Sequence, residues 1–343
     1  MKFNLFKKTQ PEASQKSLVL MYHRIASLDS DVWGVAVSPE NFEQQIKILQ
    51  QKMNIVSLQE LIDTAHRKGN MAALTFDDGY IDNFEVAKPI LEQYQIPATF
   101  FITSKQKETE QEYWWDTLEN CLLLTEQLPP VFELPDDDYP LIFDLKNEAL
   151  LTAQLKQTHR TWKACTEPPP TLRATLFFTI WQHLKSLPHT EQQHHLKKIK
   201  HWAGVSEVVN AAYRTMSTSE LIGLAGNRLF TIGAHTVTHP ALGQLAADFQ
   251  KREMIENRQY LQQIINKDID YLAYPYGSFN SDTLMTAWKL GFKAAFTTEE
   301  RVFDKSNIYQ LGRFQVKNIT GKEFEYSLNK WRGHEPTNIS VGL

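Results

Sequence analysis

Short, almost wholly apolar runs alternate along this chain with longer stretches whose apolar residues recur at helical spacing. Uninterrupted apolarity suits strands buried on both faces, and helices between them suit parallel crossovers, so the pattern predicts a parallel sheet or barrel covered by helices. The strand candidates are "SLVLMYH" (17–23), a brief "NIVSL", "MAALTF" (71–76), "PATFFITS" (97–104), "RLFTIGAH" (228–235), "IDYLAYP" (269–275) and "FKAAFTT" (292–298). Helices are expected over 38–52, with Ser38 as N-cap and Pro39 in the first turn, and from a Ser57–Glu60 capping box. Further helices are expected over about 82–94, from a Ser217–Glu220 capping box, over 246–266, and in "SDTLMTAWKLG". Between about 105 and 210 the rhythm breaks into proline-rich and helical stretches, which reads as an insertion. The expected organisation is a flexible N-terminal segment (1–16), a β/α unit (17–104 and 211–320), a mostly helical insertion (105–210) and a C-terminal tail (321–343).

The length of 343 residues suits one large domain carrying an insertion. An apolar fraction of 42% and a charged fraction of 22% describe an ordinary globular chain, and a net charge of -4 gives no reason to expect a nucleic-acid partner. Cys121 and Cys165 are too few for a disulfide framework or a thiolate metal site and are expected to fill space as small hydrophobes. No stretch has the form of a signal peptide or a membrane span, so a cytoplasmic location is expected.

Three polar clusters follow predicted strands: "DDG" after "MAALTF", "HTVTH" after "RLFTIGA" and "YPYG" after "IDYLA". The C-terminal rim of parallel strands is where loops converge and sites are built. If "HTVTH" forms one helical turn, His235 and His239 face the same side and can hold one metal ion; two solvated loop histidines are the alternative. A nearby aspartate would complete a hydrolytic metal site, with the second carboxylate of "DDG" free to take a proton from water; the alternative is a polar turn capping the next helix.

Together, "TFDDGY", "HTVTH" and "YPYG" resemble the first three motifs of the polysaccharide deacetylases with a NodB-like domain, carbohydrate esterase family four. The resemblance covers roughly 17–104 and 215–318 and implies a distorted (β/α) barrel of about seven strands. It implies Asp77 as general base, Asp78, His235 and His239 as ligands of one divalent metal, usually zinc with cobalt or nickel as substitutes, and the Tyr276 N–H as an oxyanion donor. Two positions depart from the family pattern. Ala273 stands where an arginine that orients the base often stands, and Arg313 in "YQLGRFQV" is the candidate replacement, with a surface ion pair as its alternative role. A late Leu-x-His segment is missing, and His23 at the end of the first strand takes its place as general acid, in the layout of the biofilm-exopolysaccharide branch. The alternative for His23 is a side chain satisfied by local backbone or a carboxylate.

Tyr274, Tyr276, Trp114 and Trp115 are candidates for sugar contact, with core packing as the competing role of the tryptophans. "HTEQQHHLKKIKHW" (189–202) reads as a solvated helix face. The expected activity is metal-dependent removal of the N-acetyl group from a sugar in a polysaccharide or glycan precursor, with an N-acetylated glycan as partner. An O-acetyl esterase and a carbohydrate-binding relic without activity are the alternatives.

Overall fold

The computed structural model describes residues 16–64, 69–105, 112–134, 140–206 and 210–333. In chain order the strands are β1 Leu18–Tyr22, β2 Arg24–Ile25, β3 Ala36–Val37, β4 Asn54–Ile55, β5 Met71–Phe76, β6 Ala98–Ile102, β7 Val131–Leu134, β8 Leu141–Asp144, β9 Phe230–Ala234, β10 Tyr271–Ala273, β11 Ala294–Phe296 and β12 Phe314–Gln315. The main sheet runs β11-β10-β9-β6-β5-β1-β12, parallel throughout, and helices cover it. The fold is the expected distorted (β/α) barrel.

Its strand membership differs from expectation in one place. "NIVSL" yields only the two-residue β4, which pairs with the start of β5 off the main path. The seventh position belongs instead to the segment ending in β12. Around Ile308–Leu311 this segment bonds to β11, through Ala295 N–H to Ile308 O and Thr297 N–H to Leu311 O, and Phe314 and Gln315 then pair with β1. One irregular stretch thus bridges the two ends of the sheet, and its short length left no strand pattern to read.

Because side chains alternate along a strand, each strand feeds two packed layers. Leu18, Leu20, Tyr22, Ala72, Leu74, Phe76, Phe100, Ile232 and Leu272 share one core with the helices. Val19, Met71, Ala73, Phe101, Tyr271, Ala273 and Phe296 form a second cluster on the opposite side of the strands, the barrel interior. Continued past the strand ends, the interior parity reaches His23, Asp77 and His235.

The insertion is mostly helical, as expected, with Trp114–Glu119, Ala153–Thr161, Leu172–Ser186 and His189–Ala203, and adds the antiparallel β7–β8 hairpin. It buries its own core around Leu118, Leu122, Phe132, Trp162, Phe177, Ile180 and Leu196. In the His189–Ala203 helix, His195, Leu196 and Ile199 are buried and Trp202 is half-buried, while His194 and His201 are exposed, so only part of that histidine-rich stretch is a solvated face. The stretch expected to be a tail contains the helix Gly321–Trp331, which starts with a Thr320–Glu323 capping box and buries Phe324 and Leu328 against the barrel core. Residues 1–15 of the expected N-terminal segment lie outside the described residues. No helix among the described residues is long and apolar enough to cross a membrane.

Candidate metal centre and active site

Asp77 and Asp78 leave β5 in a turn that separates their tasks. Asp77 keeps the interior parity and meets Arg313: Nη1 donates to Oδ1 at 2.6 Å and Nη2 to Oδ2 at 2.7 Å. Arg313 is fully buried and also donates from Nε to Thr297 O (3.0 Å) and from Nη1 to Thr75 Oγ1 (3.2 Å). Burial raises the Asp77 carboxyl, but the Arg313 guanidinium together with His235 and His23 offsets it, and the group stays below the ordinary aspartate value.

Asp78 turns the other way because its backbone is left-handed (φ 73°), a conformation a non-glycine residue holds only when its surroundings enforce it. The Tyr113 hydroxyl supplies that constraint by donating to Asp78 O at 2.6 Å. The carboxylate reaches two imidazoles, with Oδ1 3.4 Å from His235 Nε2 and 3.3 Å from His239 Nε2.

"HTVTH" does not form the expected helical turn. Instead, left-handed backbone at Thr236 (φ 66°) and His239 (φ 59°) folds the loop so that the two rings lie 4.9 Å apart. The helix Ala247–Ile265 holds this loop from below. Glu253 accepts from Val237 N–H (2.9 Å), Thr238 N–H (2.8 Å) and Thr238 Oγ1 (2.8 Å), and Asn257 Oδ1 accepts from His235 N–H (3.1 Å).

The donor set fits a metal ion. His235 Nδ1 lies 2.8 Å from Ala273 O, which can only accept, so Nδ1 donates there and leaves Nε2 facing Asp78. Among the described residues, Asp78 Oδ1 is buried without a hydrogen-bond partner of ordinary geometry. Two imidazole nitrogens and a carboxylate oxygen this close suit a cation held between them. The three donor atoms lie within 4.8 Å of one another, and tetrahedral zinc with bonds of about 2.0–2.2 Å sets its ligand atoms about 3.3–3.6 Å apart. Burial raises the Asp78 carboxyl, but the two imidazoles override it and hold it well below the usual range; burial also lowers His239.

A cavity of about 300 Å³ opens onto these groups, and His23, Asp77, Asp78, His235, His239 and Tyr276 all line it. His23 is half-buried, and its Nδ1 has no hydrogen-bond partner among the described residues. In "YPYG", Tyr276 is left-handed (φ 56°), and the turn's backbone bonds are donated by Gly277 and Ser278, so the Tyr276 N–H is not among the donors. Gly277 (φ 63°) is required here, because a Cβ would lie 2.2 Å from Thr298 Oγ1.

The aromatic candidates divide. The Trp115 ring lines the cavity 4.8 Å from the His239 ring, stacks on Tyr113 and donates from Nε1 to Tyr80 Oη at 2.9 Å. Trp114 is buried in the core of the insertion and does not line the cavity. Tyr274 is also displaced from its expected role: strand parity turns it into the outer core, where its hydroxyl donates to Tyr309 O at 3.1 Å. Cys121 is buried as expected, whereas Cys165 is exposed at the cavity. Sequence reasoning missed Trp33, Trp181 and Lys185 on the cavity wall. The available signal was the one-turn spacing of Trp181 and Lys185 on a helical pattern.

The sequence matches the polysaccharide deacetylase family over residues 64–122 and 171–295, more than half of the chain. It is 24% identical over 338 residues to a poly-beta-1,6-N-acetyl-D-glucosamine N-deacetylase of Staphylococcus aureus (strain MRSA252), covering 93% of this chain and 84% of that protein. Among solved structures, the Streptococcus pyogenes deacetylase PplD in complex with acetate superposes with a TM-score of 0.52 at 20% identity, covering 94% of this chain and 100% of that one. IcaB from Ammonifex degensii superposes with a TM-score of 0.54 at 17% identity, covering 93% and 97%. At these identities the superpositions speak to the fold, which they share with the barrel described above. With its matched segments spanning the DDG turn, the HTVTH loop and the YPYG turn, the chain belongs to the polysaccharide deacetylase family.

Proposed function

We propose that this protein is a metal-dependent deacetylase that hydrolyses the N-acetyl group of a sugar residue in a polysaccharide. The observation that carries this reading is the division of labour in the DDG turn: Asp78 faces two imidazole nitrogens while Asp77, beside it, is held by Arg313. Asp78, His235 and His239 would hold the ion, and zinc is the ion proposed, since two imidazoles and a carboxylate are a familiar catalytic zinc set; cobalt or nickel suits the same donors. Such an ion, when bound, would supply Lewis-acid polarisation of the acetamide carbonyl and acidify water.

The protein groups do the rest. Asp77 takes the proton from the attacking water; Arg313 occupies one direction at each carboxylate oxygen and leaves lone pairs for this task. The Tyr276 N–H donates to the carbonyl oxygen as it gains negative charge. His23 delivers a proton to the sugar nitrogen as the C–N bond breaks and acetate leaves. Trp115 and Tyr276 wall the cavity around the acetyl group. The poly-beta-1,6-N-acetyl-D-glucosamine N-deacetylase similarity favours a β-linked N-acetylglucosamine polymer as substrate.

The test is acetate release from N-acetylated glucosamine oligosaccharides, before and after chelation and with zinc restored, alongside an O-acetylated sugar. Chelator-sensitive release from the amide is expected. Release from the ester alone, or none from either, would refute the reading.

A further inference from the structure

The cavity wall facing the metal centre is built partly by the insertion, and it carries a cation. The helix Leu172–Ser186 places Trp181 and Lys185 one turn apart, and both line the cavity. Lys185 Nζ lies 4.8 Å from the centre of the Trp181 ring and 4.5 Å from that of Tyr276. Tyr276 is in turn 4.6 Å from the His239 ring. The ammonium therefore lies within about 9 Å of the His239 ring, comparable with the physiological screening length of about 8 Å. No carboxylate of the described residues forms an ion pair with it.

We propose that Lys185 is a specificity residue that disfavours glycan chains already carrying a free amine next to the reacting sugar, so that deacetylations along one chain are spaced apart. The inference rests on the N-deacetylase reading. An N-acetylated sugar is neutral, and hydrolysis of its amide leaves an amine that takes up a proton, so each turnover adds a positive charge to the chain. When that chain shifts to present its next acetyl group, the new ammonium enters the wall that holds Lys185. Partial burial strengthens the repulsion between two like charges, and salt weakens it. A purely structural Lys185, tying Trp181 to Tyr276 through its cation–π contacts, would affect every substrate alike.

The test compares kcat/KM for two oligosaccharides of equal length, one fully N-acetylated and one with a single free amine beside the reacting residue, each neighbour tried in turn. The unaltered protein should disfavour the amine-bearing sugar about tenfold at low ionic strength, and less in high salt. Lys185→Met should bring the ratio close to one, and Lys185→Arg should preserve it. An unchanged ratio in Lys185→Met overturns the proposal, even when both rates fall together. Calorimetry on Asp77→Asn, with and without Lys185→Met, reads the same preference without turnover. Equal affinity for the two sugars, or binding of neither, also overturns it. Failure of acetate release from the fully acetylated sugar sinks the deacetylase reading separately, and the calorimetric preference still decides the role of Lys185.

Discussion

Arg313 grips both oxygens of Asp77, at 2.6 and 2.7 Å, across 236 residues of sequence. The pair is fully enclosed, so each charge depends on the other: removing one partner of such a buried pair typically costs about 3–5 kcal/mol, because the remaining charge has neither solvent nor a counter-ion. Arg313→Ala should therefore lower stability by about that amount, read as a loss in chemical denaturation, and abolish turnover. Arg313→Lys should recover much of the stability and little of the activity, since a single ammonium cannot hold the carboxylate plane as the two-pronged guanidinium does. Equal activity in Arg313→Lys and the unaltered protein would show that the orientation of Asp77 is not what Arg313 provides.

The two aspartates should separate in a metal-binding experiment. Asp77→Asn keeps the hydrogen bond from one arm of Arg313 and leaves Asp78, His235 and His239 untouched, so the protein should retain bound zinc while kcat falls by about 10²–10⁴-fold. His235→Ala removes a proposed ligand whose ring is oriented by Ala273 O, and it should lose both metal and activity. Elemental analysis of dialysed variants, set beside acetate release, distinguishes the two. An Asp77→Asn protein that loses its metal would mean that the roles of the neighbouring carboxylates are reversed.

The barrel was legible because its strands are buried on both faces, and uninterrupted apolar runs survive in the sequence. The positions of the rim clusters were legible for the same reason: the polar residues begin where the runs stop. Strand parity was also available and, had it been followed past Ala273, it would have turned Tyr274 away from the cavity, because Tyr271 and Ala273 face the interior. The Thr320–Glu323 capping box was similarly present in a stretch read as tail. Other features had no local signature. Arg313 sits in a segment whose strand is only two residues long, and its partner is fixed by barrel closure, a relationship no neighbouring residues encode. Lys185 lies on a helix whose inward face is set by the insertion's separate core, so its approach to Tyr276 depends on how two cores pack.

The loop between the two histidines should be tunable from outside the site. Glu253 takes three hydrogen bonds from Val237 and Thr238, within the strained segment that brings His239 back toward His235. Such supporting groups typically alter metal affinity by about 10–100-fold. Glu253→Ala should weaken zinc binding in that range in a competitive chelator titration. Glu253→Gln, which keeps an acceptor oxygen but turns the other position into a donor, should fall between. Unaltered affinity in Glu253→Ala would place the loop under the control of Thr236 Oγ1, which accepts from His239 N–H, and of Asn257 alone.

Stability should also carry the signature of a buried acid in the insertion. Glu119 lies in the helix Trp114–Glu119, and burial pushes its carboxyl up to about 7 from an ordinary value of 4.5. A raised folded-state value means that the native protein holds this proton more tightly than the unfolded chain. Its stabilising contribution is therefore complete below 4.5 and is lost as the pH rises toward 7. A shift of this size corresponds to about 3 kcal/mol across that window. Glu119→Gln keeps the neutral shape and removes the titration, so the difference in unfolding free energy between variant and parent should move in favour of the variant between pH 4.5 and 7 and level off above it. Denaturation series at several pH values measure that difference directly, and because every other titrating group is common to both proteins, a flat difference would mean that Glu119 titrates in the fold as it does in the unfolded chain.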